Sequence, residues 1–162
     1  MRLLTNTIVL PSLHSFRQFE VFDIEKVYLL TSSSSDDSYT FVRRRSLNGV
    51  PSYGRTTVTP PLTPGGHPVE LKRIITSREY NTLTNDYPDP DRHVILQKRI
   101  SFIHLGQACQ IHCYLSPRTD LSILHVQGGG DGGEVVEALG GGEKLEEGRE
   151  GAWQVSLKKL TW

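Results

Sequence analysis

Through most of its first 127 residues the chain alternates apolar and polar positions with a period of two, the repeat of half-buried β-strands. FDIEKVYLL from Phe22 to Leu30, SYTFVRRRSL, SYGRTTVT and VELKRIIT all carry it, and Asn48-Gly49 between the second and third is the strongest hairpin signal in the sequence. Breakers separate the others: Ser32 to Ser35 with Asp36-Asp37, then PPLTPGGHP. Ser77 to Asn85, SREYNTLTN, predicts a helix with Ser77 as its N-cap and Glu79 in its first turn, closed by YPDPDR. HVILQKRISFIHL, ACQIHCYL and LSILHVQ follow as strands, joined by turns at Gly106-Gln107 and SPRTD. The predicted class is α+β, a mainly antiparallel β-meander with one or two short helices, curled into a tunnel or open barrel.

Residues 128–151 change character, being rich in Gly and Glu, and read as a flexible excursion with at most one short helix near Glu134 to Leu139. Residues 152–162 recover alternation in AWQVSLKKL and predict a strand returning to the domain, with Trp153 tying the end back. Residues 1–19 read as a junction segment and 20–127 as one domain, in keeping with 162 residues of 36% hydrophobic content. Eighteen basic residues balance eighteen acidic ones, so any attraction to an anion must be local. No apolar run approaches the roughly 18 residues of a spanning helix. Thr5-Asn6-Thr7 interrupts the N-terminal apolar run short of a signal-peptide core, and a cytoplasmic protein is expected. Cys109 and Cys113 lie four apart in a strand, roughly 13 Å between Cα atoms, too far to bridge.

Alternation also sorts side chains onto faces. One parity collects Asp23, Glu25, Arg43, Arg45, Arg55, Glu70, Lys72, Gln97, Arg99, Gln110, His112 and His125; the other is mostly apolar. The polar parity is either the wet side of an antiparallel sheet or, if the sheet closes, the lining of a water-filled tunnel. In a tunnel, five cations (Arg43, Arg45, Arg55, Lys72, Arg99) against three carboxylates (Asp23, Glu25, Glu70) suit a phosphate group. The carboxylates are of the type that holds a hard cation. The aromatics Tyr39, Phe41, Tyr53 and Phe102 read as core or hairpin residues. With no basic stripe interleaved among them, they predict no nucleic-acid platform.

DIEKVYLL resembles the opening strand of the triphosphate-tunnel (CYTH) superfamily, whose hallmark is Glu-x-Glu-x-Lys, with Asp23, Glu25 and Val27 in those three places. Closer is the resemblance to the C-terminal tunnel-like domain of the TRPL translocation defect protein 14 family. The tracts FVRRRSLNG, VELKRIITSREY, DPDRHVILQKRISF, GQACQIHCYLSP and LSILHV carry it in order, with AWQVSL closing. The resemblance spans about residues 20–127 and resumes at 152–158. It implies a partner P-loop domain, but no GxxxxGK[ST] occurs here, so the nucleotide-hydrolysing half is expected to be absent.

For such a fold the resemblance implies Mg²⁺ or Mn²⁺ on Asp23, Glu25 and Glu70, and phosphate held by Arg43, Arg45, Arg55, Lys72, Arg99, His112 and His125. Several positions depart from the catalytic pattern: Val27 replaces the hallmark Lys, Gln97 a basic residue, and His112 and His125 stand where carboxylates are expected. Neutral imidazole is a poor ligand for a hard cation. The expectation is therefore a non-catalytic module that requires no cofactor. By resemblance it binds a phosphoinositide such as phosphatidylinositol 3-phosphate, or GTP or another nucleotide, and serves in membrane-protein trafficking with peripheral association at endosomal membranes. The alternatives are a trafficking adaptor with a vestigial pocket and a weak metal-dependent triphosphatase.

Overall fold

A computed structural model describes residues 19–31, 37–61, 63–104 and 106–127, together with two short strands nearer the C-terminus. The architecture is α+β, with mainly antiparallel strands and one helix among the described residues. The chain divides into two compact units, Phe22–Leu96 and a second made of the part from Gln97 onward together with the residues before Phe22. That division falls inside the span 20–127 that the sequence reads as one domain.

The first unit holds β1 (Phe19–Leu29, entering it at Phe22), β2 (Tyr39–Leu47), β3 (Val50–Thr59), β4 (Val69–Ile74) and α1 (Ser77–Asp86). Its strands lie in the order β4-β3-β2-β1. Asn48 and Gly49 join β2 to β3 with φ of 51° and 80°, the left-handed pair that a two-residue hairpin needs to match the strand twist. Leu47 consequently faces Val50, and the register of the whole hairpin follows. A Cβ on Gly49 would meet nothing within 4 Å, so only the backbone objects to it. Gly49→Ala is expected to cost about 1 kcal/mol, measured as a lowered urea midpoint with unchanged slope.

Helix α1 begins one residue earlier than the sequence implies. Thr76, not Ser77, is the N-cap: its Oγ1 accepts the Glu79 N–H at 3.1 Å. The reason is the spacing Thr-x-x-Glu, which puts the acidic residue at the third helical position, where the cap bond falls. The Glu79 carboxylate pairs with Arg73 of β4, fastening the helix to the sheet. Val27, Leu29, Val42, Ile75 and Tyr80 are buried together, with Tyr53 and Leu83 packed against them. This is the core between the helix and one face of the sheet.

The second unit contains β5 (Ile95–His104, in this unit from Gln97), β6 (Gln107–Ser116), β7 (Ser122–Gln127), β8 (Glu143–Lys144) and β9 (Ala152–Gln154). Gly106, at φ 77°, forms the turn into β6 as expected. Cys109 lies opposite Val126, Ile111 opposite Leu124 and Cys113 opposite Ser122, all six of them buried. The chain returns to this sheet at β9, where Trp153 is in register with Leu124, and β8 pairs with β9. The helix expected near Glu134 to Leu139, the turn at Ser32 to Ser35 and nearly all of the junction segment lie outside the described residues. Among the described residues no helix is long and apolar enough to cross a membrane.

Both cysteines are free thiols. Burial pushes each up to about 11, against a lowering backbone hydrogen bond involving His104 for Cys109, and against Ser122 and Lys98 for Cys113. The thiolate is the form that reacts, so at neutral pH neither is primed. Iodoacetamide is expected to leave the native protein unlabelled and to add two groups once it is denatured, as read by intact mass.

Candidate functional site

Directly opposed residues of an antiparallel pair share a face, so the registers of the first unit map its sheet in rows. One row runs Ile24, Arg45, Ser52; the next runs Lys26, Arg43, Gly54, Ile74; the next runs Tyr28, Phe41, Thr56, Lys72; and the last runs Tyr39, Val58, Glu70. This face is the one opposite α1. It gathers four cations, Lys26, Arg43, Arg45 and Lys72, against one carboxylate, Glu70.

Three of those cations border a pocket of about 270 Å³ whose lining includes Arg43, Arg45, Ser52, Gly54, Thr56 and Lys72, and Arg55 also borders it although its register gives it the parity of the other face. Gly54 keeps its centre open, because it faces Arg43 on one side and Ile74 on the other and projects no side chain between them. The Thr56 hydroxyl adds a neutral donor, while the Ser52 hydroxyl donates to the Arg45 carbonyl oxygen at 3.2 Å. Lys72 Nζ is 2.6 Å from Glu70, whereas neither Arg43 nor Arg45 has an ion-pair partner among the described residues. Half-burial, and then the charge of Arg45, lowers the Arg43 pKa from its ordinary value. Arg45 lays its guanidinium over the Phe22 ring, 3.6 Å from the centroid. That contact holds its stem while leaving N–H groups at the guanidinium edge.

The single polar face expected from the sequence splits in two. Asp23 is opposite Ser46, Glu25 opposite Arg44, and Arg55 opposite Val42 and Arg73, which puts all three on the α1 face, across the sheet from Arg43 and Arg45. Glu25 is engaged there: it accepts the Tyr80 hydroxyl at 2.6 Å and a bond from Arg44 at 3.0 Å. Desolvation, followed by that hydrogen bond, raises the Tyr80 pKa far above the ordinary phenol value. The second carboxylate of the sequence motif thus anchors the helix.

The expected metal set must be corrected for the same reason. Asp23 and Glu25 are on one face of the sheet and Glu70 is on the other. No group of three or more His, Cys, Asp or Glu placed to hold an ion occurs among the described residues. Mg²⁺ or Mn²⁺ therefore finds no fitting donor set in these three residues.

Arg99, His112 and His125 belong to the second unit. The His112 and His125 rings lie 4.4 Å apart, on the face of β6 and β7 opposite the buried cysteines. Arg99 alternates with buried Ile100, whereas Lys98 is near enough to Cys113 to affect its thiol. Arg99 thus has the parity of Gln97, away from the apolar side of β5.

An aromatic cluster beside the pocket goes beyond what the sequence singles out. Tyr28, Tyr39 and Phe41 have centroids 5.9 to 6.4 Å apart. Lys26 Nζ is 3.9 Å from the Phe41 centroid, and Arg92 lies over Tyr28 and Tyr39 at 4.9 and 5.1 Å. The signal for it is the shared parity of Lys26 and Tyr28 on one strand and of Tyr39 and Phe41 on the next.

No family model matches the chain, and no curated protein matches it. Among solved structures, the PH1819 protein from Pyrococcus horikoshii OT3 is similar at 15% identity with a TM-score of 0.49. The match covers 64% of this chain and 63% of that one, so the chain spans under two thirds of that protein's length.

Proposed function

We propose that this chain is a non-catalytic binding module for a phosphorylated ligand, with the phosphate group seated between Arg43, Arg45 and Lys72. What supports it is the gathering of like charges around a concavity. Arg43 is half-buried next to Arg45, a placement that costs free energy in an empty pocket and is offset when an anion enters. Guanidinium edges recognise phosphate oxygens through paired, charge-assisted hydrogen bonds. Binding is favoured over hydrolysis because Asp23 and Glu25 lie across the sheet from these cations and Glu25 is committed to Tyr80 and Arg44.

The ligand class follows from the resemblance to the triphosphate-tunnel superfamily and to the TRPL translocation defect protein 14 family, which we carry as part of the proposal. It is a phosphoinositide headgroup, such as that of phosphatidylinositol 3-phosphate, or a nucleotide such as GTP. A role in membrane-protein trafficking with peripheral association at endosomal membranes belongs to the same proposal.

Thermal melting with inositol phosphates, GTP and inorganic triphosphate tests it. A ligand at about 100 times its Kd stabilises the folded state by about 2.7 kcal/mol, so the melt should move up by several degrees. Gly54→Leu should cancel that shift. Its Cβ would touch only the Arg73 carbonyl oxygen, at 3.6 Å, an ordinary contact, so the added side chain fills the pocket without altering any charge. A melt that no phosphate compound moves contradicts the proposal.

A further inference from the structure

Strand β4 is exposed along its entire length. All six residues from Val69 to Ile74 are open to solvent, including Val69 at 66%, Leu71 at 72% and Ile74 at 91%. Among the described residues it pairs with β3 only. An exposed strand edge with apolar side chains is a template for another strand.

The ladder shows which backbone groups are free to pair. The Ile75 N–H donates to the Tyr53 carbonyl at 3.2 Å, so that opposed pair is a hydrogen-bonded one. In an antiparallel ladder such pairs alternate. Arg73, Leu71 and Val69 therefore spend their backbone groups on β3, and Ile74, Lys72 and Glu70 aim theirs outward.

We infer that β4 is a self-pairing edge, on which a second copy of this chain docks through its own β4, antiparallel and centred on Leu71. A two-fold axis perpendicular to the sheet keeps like faces together, which permits only registers that oppose residues of equal parity. Centred on Leu71, the register sets Glu70 against Lys72 of the other copy, and Lys72 against its Glu70. Both are hydrogen-bonded pairs built from the outward-aimed groups, with opposite charges across each, so that the Lys72–Glu70 pair within each strand, at 2.6 Å, joins that of the other copy in an alternating quartet. The two Leu71 residues are directly opposed at the centre, and their side chains meet on the other face of the sheet. Centred one residue later, Lys72 would oppose its own copy and Glu70 would face Ile74. Like charges directly opposed are unfavourable. The choice of partner and register thus rests on charge complementarity, and holds whether or not the pocket binds phosphate.

Sedimentation velocity over a wide concentration range, with Glu70→Lys, Lys72→Glu and the double exchange, tests the inference. The wild type should associate as its concentration rises. Either single reversal places like charges opposite twice and should leave a monomer; the double exchange restores opposite charges and should associate again. Leu71→Cys should form a disulfide-linked dimer under mild oxidation, since Cys109 and Cys113 are buried and the two substituted positions are directly opposed. A wild type that stays monomeric throughout, or a double exchange that fails to recover association while circular dichroism reports a folded chain, overturns the inference.

Discussion

An Arg43→Ala/Arg45→Ala variant is expected to lose retention on phosphoinositide-coated beads while keeping its fold. Each arginine offers charge-assisted hydrogen bonds to phosphate, worth about 2 kcal/mol apiece, so each is worth roughly thirtyfold in affinity. Together they would account for about a thousandfold, less whatever the two neighbours share. Lys72 cannot replace them, because its ammonium is held at 2.6 Å by Glu70. Neither arginine has an ion-pair partner among the described residues, so their removal strands no carboxylate and relieves the burial, and then the repulsion, that lower the Arg43 pKa. Stability should hold or rise while binding disappears. Retention equal to the wild type would count against the pocket as the binding site.

The largest loss of stability is expected at Tyr80. It is 3% exposed, its ring lies 5.0 Å from that of Tyr53, and its hydroxyl is bonded to Glu25. Tyr80→Ala empties the space between α1 and the sheet and is expected to cost about 3 to 5 kcal/mol, the range for truncating a buried aromatic. Tyr80→Phe keeps the packing and removes one hydrogen bond to a carboxylate, at a cost of about 2 kcal/mol. Urea denaturation separates the two contributions. If both variants unfold at the wild-type midpoint, the helix is not fastened to the sheet as described.

The strand order, the Asn48-Gly49 hairpin and the single helix in the first unit are legible in the sequence because each is set locally. A period of two, a left-handed turn pair and an acidic first turn at Glu79 all declare themselves within a few residues. Faces are different, because they depend on pairing. Between β2 and β3 the two-residue turn at 48 and 49 decides it: residue 47 is set against 50, so odd residues of β2 share a face with even residues of β3. That turn alone assigns Arg55 to the face away from Arg43 and Arg45, a constraint that parity within each strand does not contain.

For β1 and β2 no such constraint exists. The nine residues between Leu29 and Tyr39 allow several registers, and a slip of one exchanges the faces. The pairing of Asp23 with Ser46, rather than with an arginine, separates the carboxylates from the phosphate-binding candidates. The same pairing brings Lys26 in opposite Arg43, a fourth cation that no motif singles out. At the helix start, Glu79 three residues after Thr76 signals the cap, and the capping-box spacing outweighs the first serine of the helix.

Backbone amide NMR during titration with an inositol phosphate locates the phosphate site residue by residue. The shifts are expected to concentrate at Arg43, Arg45, Ser52, Gly54, Thr56 and Lys72 on the face opposite α1, saturating together with a single Kd. Shifts confined to residues on the α1 face, or no shift at saturating ligand, would contradict a phosphate site there.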